Sequence, residues 1–252
     1  MHPDTVYAQP GSGARFDWGL AGAAELGRVC AVLVVVDVLS FTTAVEVSVA
    51  RGMRVHPFPW GEQADEYARR VGAVAAVGRR QTSGERPWSL SPAALRTAPV
   101  VPDLVLPSPN GSAICAAASA TGIPVVAASL RNARAVGVWL TGQGYGSTRA
   151  PIGVVASGER WPDGTLRPAV EDQLGAAAVL DALSAVPGGL SVEAALALAT
   201  LASVPDLPAA VRGCVSGREL TETGFAGDVE IAVQVDVSEV VPVLRNGVFS
   251  AA

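Results

Sequence analysis

The chain has 252 residues, half of them apolar, with 27 Gly, 18 Pro and only 5% aromatics, a globular composition long enough to bury a sizeable core. All 18 basic residues are Arg, which excludes a lysine Schiff base, a P-loop lysine and any catalytic lysine. A net charge of -5 with no basic face speaks against nucleic acid as a partner, and no apolar run nears the roughly 20 residues of a membrane span.

No apolar core segment follows Met1 to Asp4, so no signal peptide is expected. Cys30, Cys115 and Cys214 are far apart, odd in number and without a paired metal spacing. Free thiols in a reducing cytoplasm are the expectation.

In chain order, the first strong element is the apolar, mostly β-branched run Ala31 to Val36, which ends on Asp37. Such a run suits a strand buried on both faces. It would put the Asp37 carboxylate at the strand's carboxyl end, where open α/β sheets hold ligands. Two readings of Asp37 stand side by side. It is either a site residue whose desolvation is compensated by a metal or donors, or the cap of the next helix.

The spacing then predicts a helix over Thr43 to Ala50, a strand over Arg54 to Phe58, an amphipathic helix over Gly61 to Val71 and a strand over Ala73 to Val77. Gly78 to Pro102 is a long polar stretch, the kind that serves as a lid or binding loop. Strand Asp103 to Leu106, turn Pro107 to Gly111 and helix Ser112 to Ser119 come next. Strand Pro124 to Ala128, helix Ala133 to Leu140 and strand Ile152 to Ala156 lead to a second polar loop, Ser157 to Pro168. The pattern closes with helices over Val170 to Ala185, Val192 to Ser203 and Pro208 to Cys214, and a strand over Val240 to Leu244. The alternation predicts an α/β fold, three-layer α/β/α, with a largely parallel or mixed sheet and helices on both faces. Residues 1–252 read as one domain, with room for two similar subdomains dividing near 100–150.

Four clusters could carry chemistry. Asp37 lies beside Ser40, Thr42 and Thr43, a carboxylate and hydroxyls able to hold a hard cation or, at a helix start, an anion. Ser108 to Ser112 contains Asn110 and Gly111, a turn signal that also offers N–H, amide and hydroxyl groups to an anion. Arg131, with Ser129 and Asn132, could clamp a phosphate, sulfonate or carboxylate, or be a solvated loop residue. Glu159, Arg160 and Asp163, with Glu171 and Asp172 on the next helix, collect acids as a divalent-metal site does, although acids in a helix's first turn are favoured in any case. The histidines, His2 and His56, belong to a terminus and a strand pattern, and no nucleophilic triad, Walker A sequence or dinucleotide fingerprint is present.

Taken together, these segments resemble the 2-phosphosulfolactate phosphatase family, Mg2+-dependent acid phosphatases of coenzyme M synthesis. The matching residues run from Val36, Asp37, Val38, Leu39, Thr42 and Thr43 through Ser108 to Ser112 and Ala128 to Ala135. They continue through Ser157 to Gly164, Glu171 to Ala176 and the tail Asp228 to Asp236 with Val241 to Val243. Two departures stand out: members usually carry Arg where this chain has Ser40, and Asn where it has Leu90. An Arg missing beside an anion site removes charge-assisted bonds of roughly 1.5–3 kcal/mol each.

The resemblance implies hydrolysis of a small anionic phosphate monoester, 2-phosphosulfolactate first among them, to sulfolactate and phosphate. Asp37, Glu159 and Asp172 would be catalytic and position Mg2+, with Mn2+ an equal match to such oxygen ligands. Thr42, Thr43, Asn110, Gly111, Ser112, Arg131, Asn132 and Arg160 would bind substrate. The resemblance also allows Asp37 to attack as a nucleophile in place of metal-activated water. The rival readings are a non-catalytic binding protein on this scaffold, and a lyase or transferase acting on a phosphorylated or sulfonated hydroxy acid. No membrane or nucleic-acid partner is expected, and the apolar richness suits a homodimer.

Overall fold

The computed structural model describes residues 7–61, 63–119 and 122–252, so His2 lies outside the described residues. Ala14–Trp18 (β1) leads through Gly19–Gly27 (α1) into Val32–Val36 (β2) and Phe41–Ala50 (α2). Arg54–Pro59 (β3), Ala64–Val71 (α3) and Val74–Ala75 (β4) precede the long polar stretch, which contains Pro92–Thr97 (α4). Asp103–Ser108 (β5), Gly111–Ser119 (α5), Val125–Ala128 (β6), Ala133–Gly142 (α6) and Ile152–Ala156 (β7) follow. The second polar loop is a small hairpin of Glu159–Arg160 (β8) and Leu166–Arg167 (β9). Val170–Ala182 (α7), Val192–Ala199 (α8), Leu207–Gly213 (α9), Val215–Glu222 (α10) and Ala226–Ala232 (α11) lead to Pro242–Arg245 (β10) and Val248–Ala251 (β11).

Nine strands form one mixed sheet in the order β1-β7-β2-β6-β10-β11-β3-β5-β4. β1, β7, β2 and β6 are mutually parallel, as are β3, β5 and β4. The antiparallel hairpin β10–β11 is inserted between the two sets and pairs antiparallel with β6 and β3. By these pairings the two sets run in opposite senses.

β2 lies inside the sheet between β7 and β6, so both of its faces need apolar cover. Val32, Val34 and Val36 pack on the side that includes Val136, Leu140, Leu174 and Val179 from α6 and α7. Leu33 and Val35 face Leu26, Phe41, Val45 and Ile114 from α1, α2 and α5. All five β2 side chains are fully buried, which is why the segment reads as an uninterrupted apolar run and not as an alternating one. This is the three-layer α/β/α arrangement expected from the alternation.

Several boundaries differ from expectation. β1 and α1 precede the first element that the pattern marks, and α10, α11 and β11 are additional. α7 stops at Ala182, and Val192–Ser203 divides into α8 and a 3-10 turn from Thr200. The Gly78 to Pro102 stretch holds a 3-10 turn at Arg79–Gln81 as well as α4, whose N-cap Ser91 accepts the Ala94 N–H at 3.1 Å.

Two close approaches position the site. α5 packs against β3 and β5 of one parallel set and against β2 and β6 of the other, so its first turn is carried to the end of β2. α7 meets β2 at Gly175, where an added Cβ would stand 2.5 Å from Val38 and 2.8 Å from Val36. Only a residue without a side chain permits that approach, and it delivers Asp172, one turn earlier, to the same strand end.

Candidate active site

The site begins where β2 turns into α2. Each Asp37 carboxylate oxygen accepts one backbone donor: Oδ1 from Phe41 N–H at 3.0 Å, and Oδ2 from Gly111 N–H at 3.0 Å. The first bond serves the start of α2 and the second ties the β2 loop to α5, so Asp37 carries a cap-like role and still lines a cavity of about 240 Å3. Thr42 Oγ1 accepts the Asp37 N–H at 2.9 Å and donates to its carbonyl at 2.8 Å, and Thr43 Oγ1 donates to the Val38 carbonyl at 2.8 Å. Both threonines are fully buried. They brace the loop; neither hydroxyl reaches the cavity that the sequence pattern suggested it would serve.

The same cavity is lined by Leu39, Ser40, Trp60, Arg79, Leu90, Ser108, Pro109, Asn110 and Glu159. Asn110 Nδ2 donates to Glu159 Oε2 at 2.9 Å, and Arg160 Nε donates to Asn110 Oδ1 at 3.2 Å, which links the β5–α5 turn to the β8–β9 hairpin. Ser112 Oγ donates to the Ser108 carbonyl at 2.5 Å, and the Gly111 N–H is held by Asp37. Ser112 and Gly111 therefore shape the turn and leave anion contact to other groups.

Behind Asp37, Asp172 is buried, and its two oxygens accept the Val38 N–H and the Gly158 N–H, both at 2.8 Å. It fastens the loops that carry Asp37 and Glu159. Glu171, also buried, accepts the Cys214 thiol at 3.2 Å. Burial pushes Asp37 and Glu159 upward, and the neighbouring carboxylates add to it; Glu159 rises to about 7. Asp172 is raised well above the usual carboxylate range, by burial first and then by Asp37 and Glu171. The Phe41 and Gly111 N–H groups and the Arg79 charge pull Asp37 back in part.

Among the described residues, no three His, Cys, Asp or Glu side chains come close enough to grip one ion. The expected set of Asp37, Glu159 and Asp172 is thus not assembled as three direct ligands: Asp172 stands behind Asp37 and does not line the cavity that Asp37 and Glu159 share. What remains fits a hard, hydrated divalent cation. Asp37 and Glu159 present oxygen donors to one cavity, their mutual repulsion is the kind a cation relieves, and Mg2+ typically takes only one or two carboxylates and keeps its waters.

Arg131 and Asn132 depart furthest from expectation. Arg131 Nε pairs with the buried Glu46 at 2.5 Å, and its Nη1 donates to Gln234 Oε1 and the Ile231 carbonyl. Asn132, fully buried, bonds the Ser129 N–H and the carbonyls of Ala127 and Val240. These residues lock the β6–α6 turn to the C-terminal segment and, among the described residues, line none of the cavities that Asp37 or Glu159 lines.

Arg79, and not Arg131, is the arginine that lines the Asp37 cavity. It lies in a loop of Gly, Arg and Ser, where an arginine gives no signal beyond solubility. Its guanidinium donates to Ser40 Oγ, at the position where the resembled family usually has Arg. Arg79 also lines a second, wider cavity of about 530 Å3 that includes Glu159, Arg160, Trp161, Arg167 and Ser216. Two carboxylates thus stand at one cavity with three arginines around it and its neighbour.

The family model described as 2-phosphosulpholactate phosphatase matches residues 22–247, nearly the whole chain. No curated protein matches it.

Proposed function

The chain belongs to the 2-phosphosulpholactate phosphatase family and is a phosphoric monoester hydrolase, and we propose that it cleaves 2-phosphosulfolactate to sulfolactate and phosphate in a Mg2+-dependent reaction centred on Asp37 and Glu159. The observation that carries this reading is that these two raised carboxyl groups line one cavity together with Arg79, while Arg160 and Arg167 line the neighbouring cavity that Glu159 and Arg79 share.

The roles follow from the geometry. Asp37, fixed by two N–H donors and made more basic by burial, takes the proton from the water that attacks phosphorus. Glu159, raised to about 7 by burial and by Asp37, gives up its proton when a cation binds, so the proton that Asp37 takes from water is the one the ester oxygen receives as the P–O bond breaks. Asp37 and Glu159 would also hold the Mg2+, whose contribution when bound is to offset charge on the phosphoryl oxygens. Arg160 and Arg167 face the second cavity, a match for the carboxylate and sulfonate of the substrate. Arg167 is steadied there by Ser216 Oγ at 3.2 Å and by the Trp161 ring, 5.8 Å from its guanidinium carbon.

Phosphate release from 2-phosphosulfolactate, with Mg2+ and with EDTA, tests the reading beside an Asp37→Ala control. Mg2+-dependent release that vanishes in the variant is expected. A folded wild-type protein that releases no phosphate from this or related phospho-hydroxy acids would sink it.

A further inference from the structure

Arg79 is held from three sides. Its Nε donates to Asp228 Oδ2 at 3.1 Å, a guanidinium nitrogen donates to Ser40 Oγ, and the Phe225 ring lies 5.6 Å from its central carbon. Asp228 is itself pinned: it is 1% exposed, and its other oxygen accepts Ser91 Oγ at 2.5 Å and the Ala93 N–H at 3.1 Å. These restraints come from α2, α4 and α11, so the guanidinium is fixed by the core and not by its own loop. Nη1 has no hydrogen-bond partner among the described residues, and the side chain stays 20% exposed at the edge of the Asp37 cavity. A guanidinium with one edge anchored and the other open to a cavity is the arrangement that binds a tetrahedral oxyanion through paired N–H donors.

We propose that Arg79 is the phosphoryl-binding cation of this site, and that Asp228 and Ser40 are positioning residues that aim it. The inference rests on the phosphatase reading for its substrate, but the chemistry it names is recognition of a phosphate group. Ser40 is small enough to leave the guanidinium its place beside Asp37 while its hydroxyl accepts the aiming bond. Arg79 would then offset both the substrate's charge and the Asp37 charge as the two come together.

The test is binding of inorganic phosphate by titration calorimetry to wild type, Arg79→Gln, Arg79→Lys and Asp228→Asn, with melting curves and steady-state kinetics on each. Removing the charge-assisted bonds is expected to weaken phosphate binding about 10- to 100-fold in Arg79→Gln, a loss of roughly 1.5–3 kcal/mol. KM should rise and kcat fall in the same variant. Arg79→Lys, which keeps charge but not the fork, should fall between it and wild type. Asp228→Asn should weaken phosphate binding several-fold with Arg79 intact, a change that a stability role alone would not produce. Folded Arg79→Gln with wild-type phosphate affinity would overturn the proposal and leave Arg79 as a structural partner of Asp228. Should Arg79→Gln fail to fold, unchanged affinity in Arg79→Lys overturns it instead. Wild-type protein that binds no phosphate overturns it as well. Wild-type protein that binds phosphate through Arg79 yet hydrolyses no ester would uphold the proposal while the phosphatase reading fails.

Discussion

The Gly111 N–H donates to Asp37 Oδ2 at 3.0 Å, and a Cβ built on Gly111 would stand 2.7 Å from that same oxygen and 2.6 Å from the Phe41 ring. The close approach that makes the bond leaves no room for a methyl group. Gly111→Ala is therefore expected to push the carboxylate and Phe41 apart. Overpacking of this kind costs about 1–3 kcal/mol, and displacement of a reacting group by about 1 Å can cost on the order of 100-fold in rate. Melting curves and kcat for the variant check this; a Gly111→Ala enzyme with wild-type turnover would place Asp37 outside the chemistry.

Asp37, Glu159 and Asp172 are all raised, burial being the first cause in each. A carboxyl raised by folding holds its proton more tightly in the folded chain, so no stability is lost below its unfolded pKa. Stability then falls as pH climbs through the folded value. For Glu159 that window runs from 4.5 to about 7. In EDTA, Tm is expected to drop by several degrees across it. Mg2+ needs ionised oxygens, so its stabilising shift should be larger near pH 8 than near pH 5. Glu159→Gln keeps an acceptor for Asn110 and should flatten the profile. Equal Mg2+ shifts at both pH values would count against a carboxylate-held metal.

The parts of the fold that a linear reading reaches are those whose burial is symmetric. β2 is covered on both faces, so its composition alone marks it, and Asp37 follows as the first polar residue beyond it. The Asn110 and Glu159 turns were legible because each directly follows a strand. The misreadings have one physical source: a hydroxyl or guanidinium near a strand end can satisfy backbone or core groups before it meets a ligand. Thr42, Thr43, Ser112 and Asn132 do so. Arg79 escapes notice for the converse reason, since its anchor Asp228 lies 149 residues away.

Arg131 separates the two kinds of arginine. Its partner Glu46 has a side chain only 1% exposed, so Arg131→Ala strands a buried carboxylate, a loss of about 3–5 kcal/mol. Tm should fall sharply while KM in the folded fraction stays unchanged. Adding Glu46→Gln removes the stranded charge and should recover part of the stability, a coupling that a double-mutant cycle measures. A KM increase of tenfold or more at unchanged Tm would return Arg131 to the substrate.

Asp172 offers the sharpest choice between holding loops and holding metal. Its two oxygens each accept a backbone N–H, from Val38 and from Gly158, at 2.8 Å. An asparagine has one carbonyl oxygen and one amide nitrogen, so Asp172→Asn turns one of these contacts into two donors facing each other. A buried donor left unpaired costs about 1–3 kcal/mol, which for a chain of this size lowers Tm by several degrees. Both loops released by the change lead to the cavity, one through Asp37 and the other through Glu159. Turnover should therefore fall even though Asp172 does not line that cavity. The Mg2+-induced Tm shift should persist in the variant, because Asp37 and Glu159 remain. Unchanged stability combined with loss of the Mg2+ shift would show the opposite: Asp172 would then be a ligand, and its two backbone bonds incidental to its function.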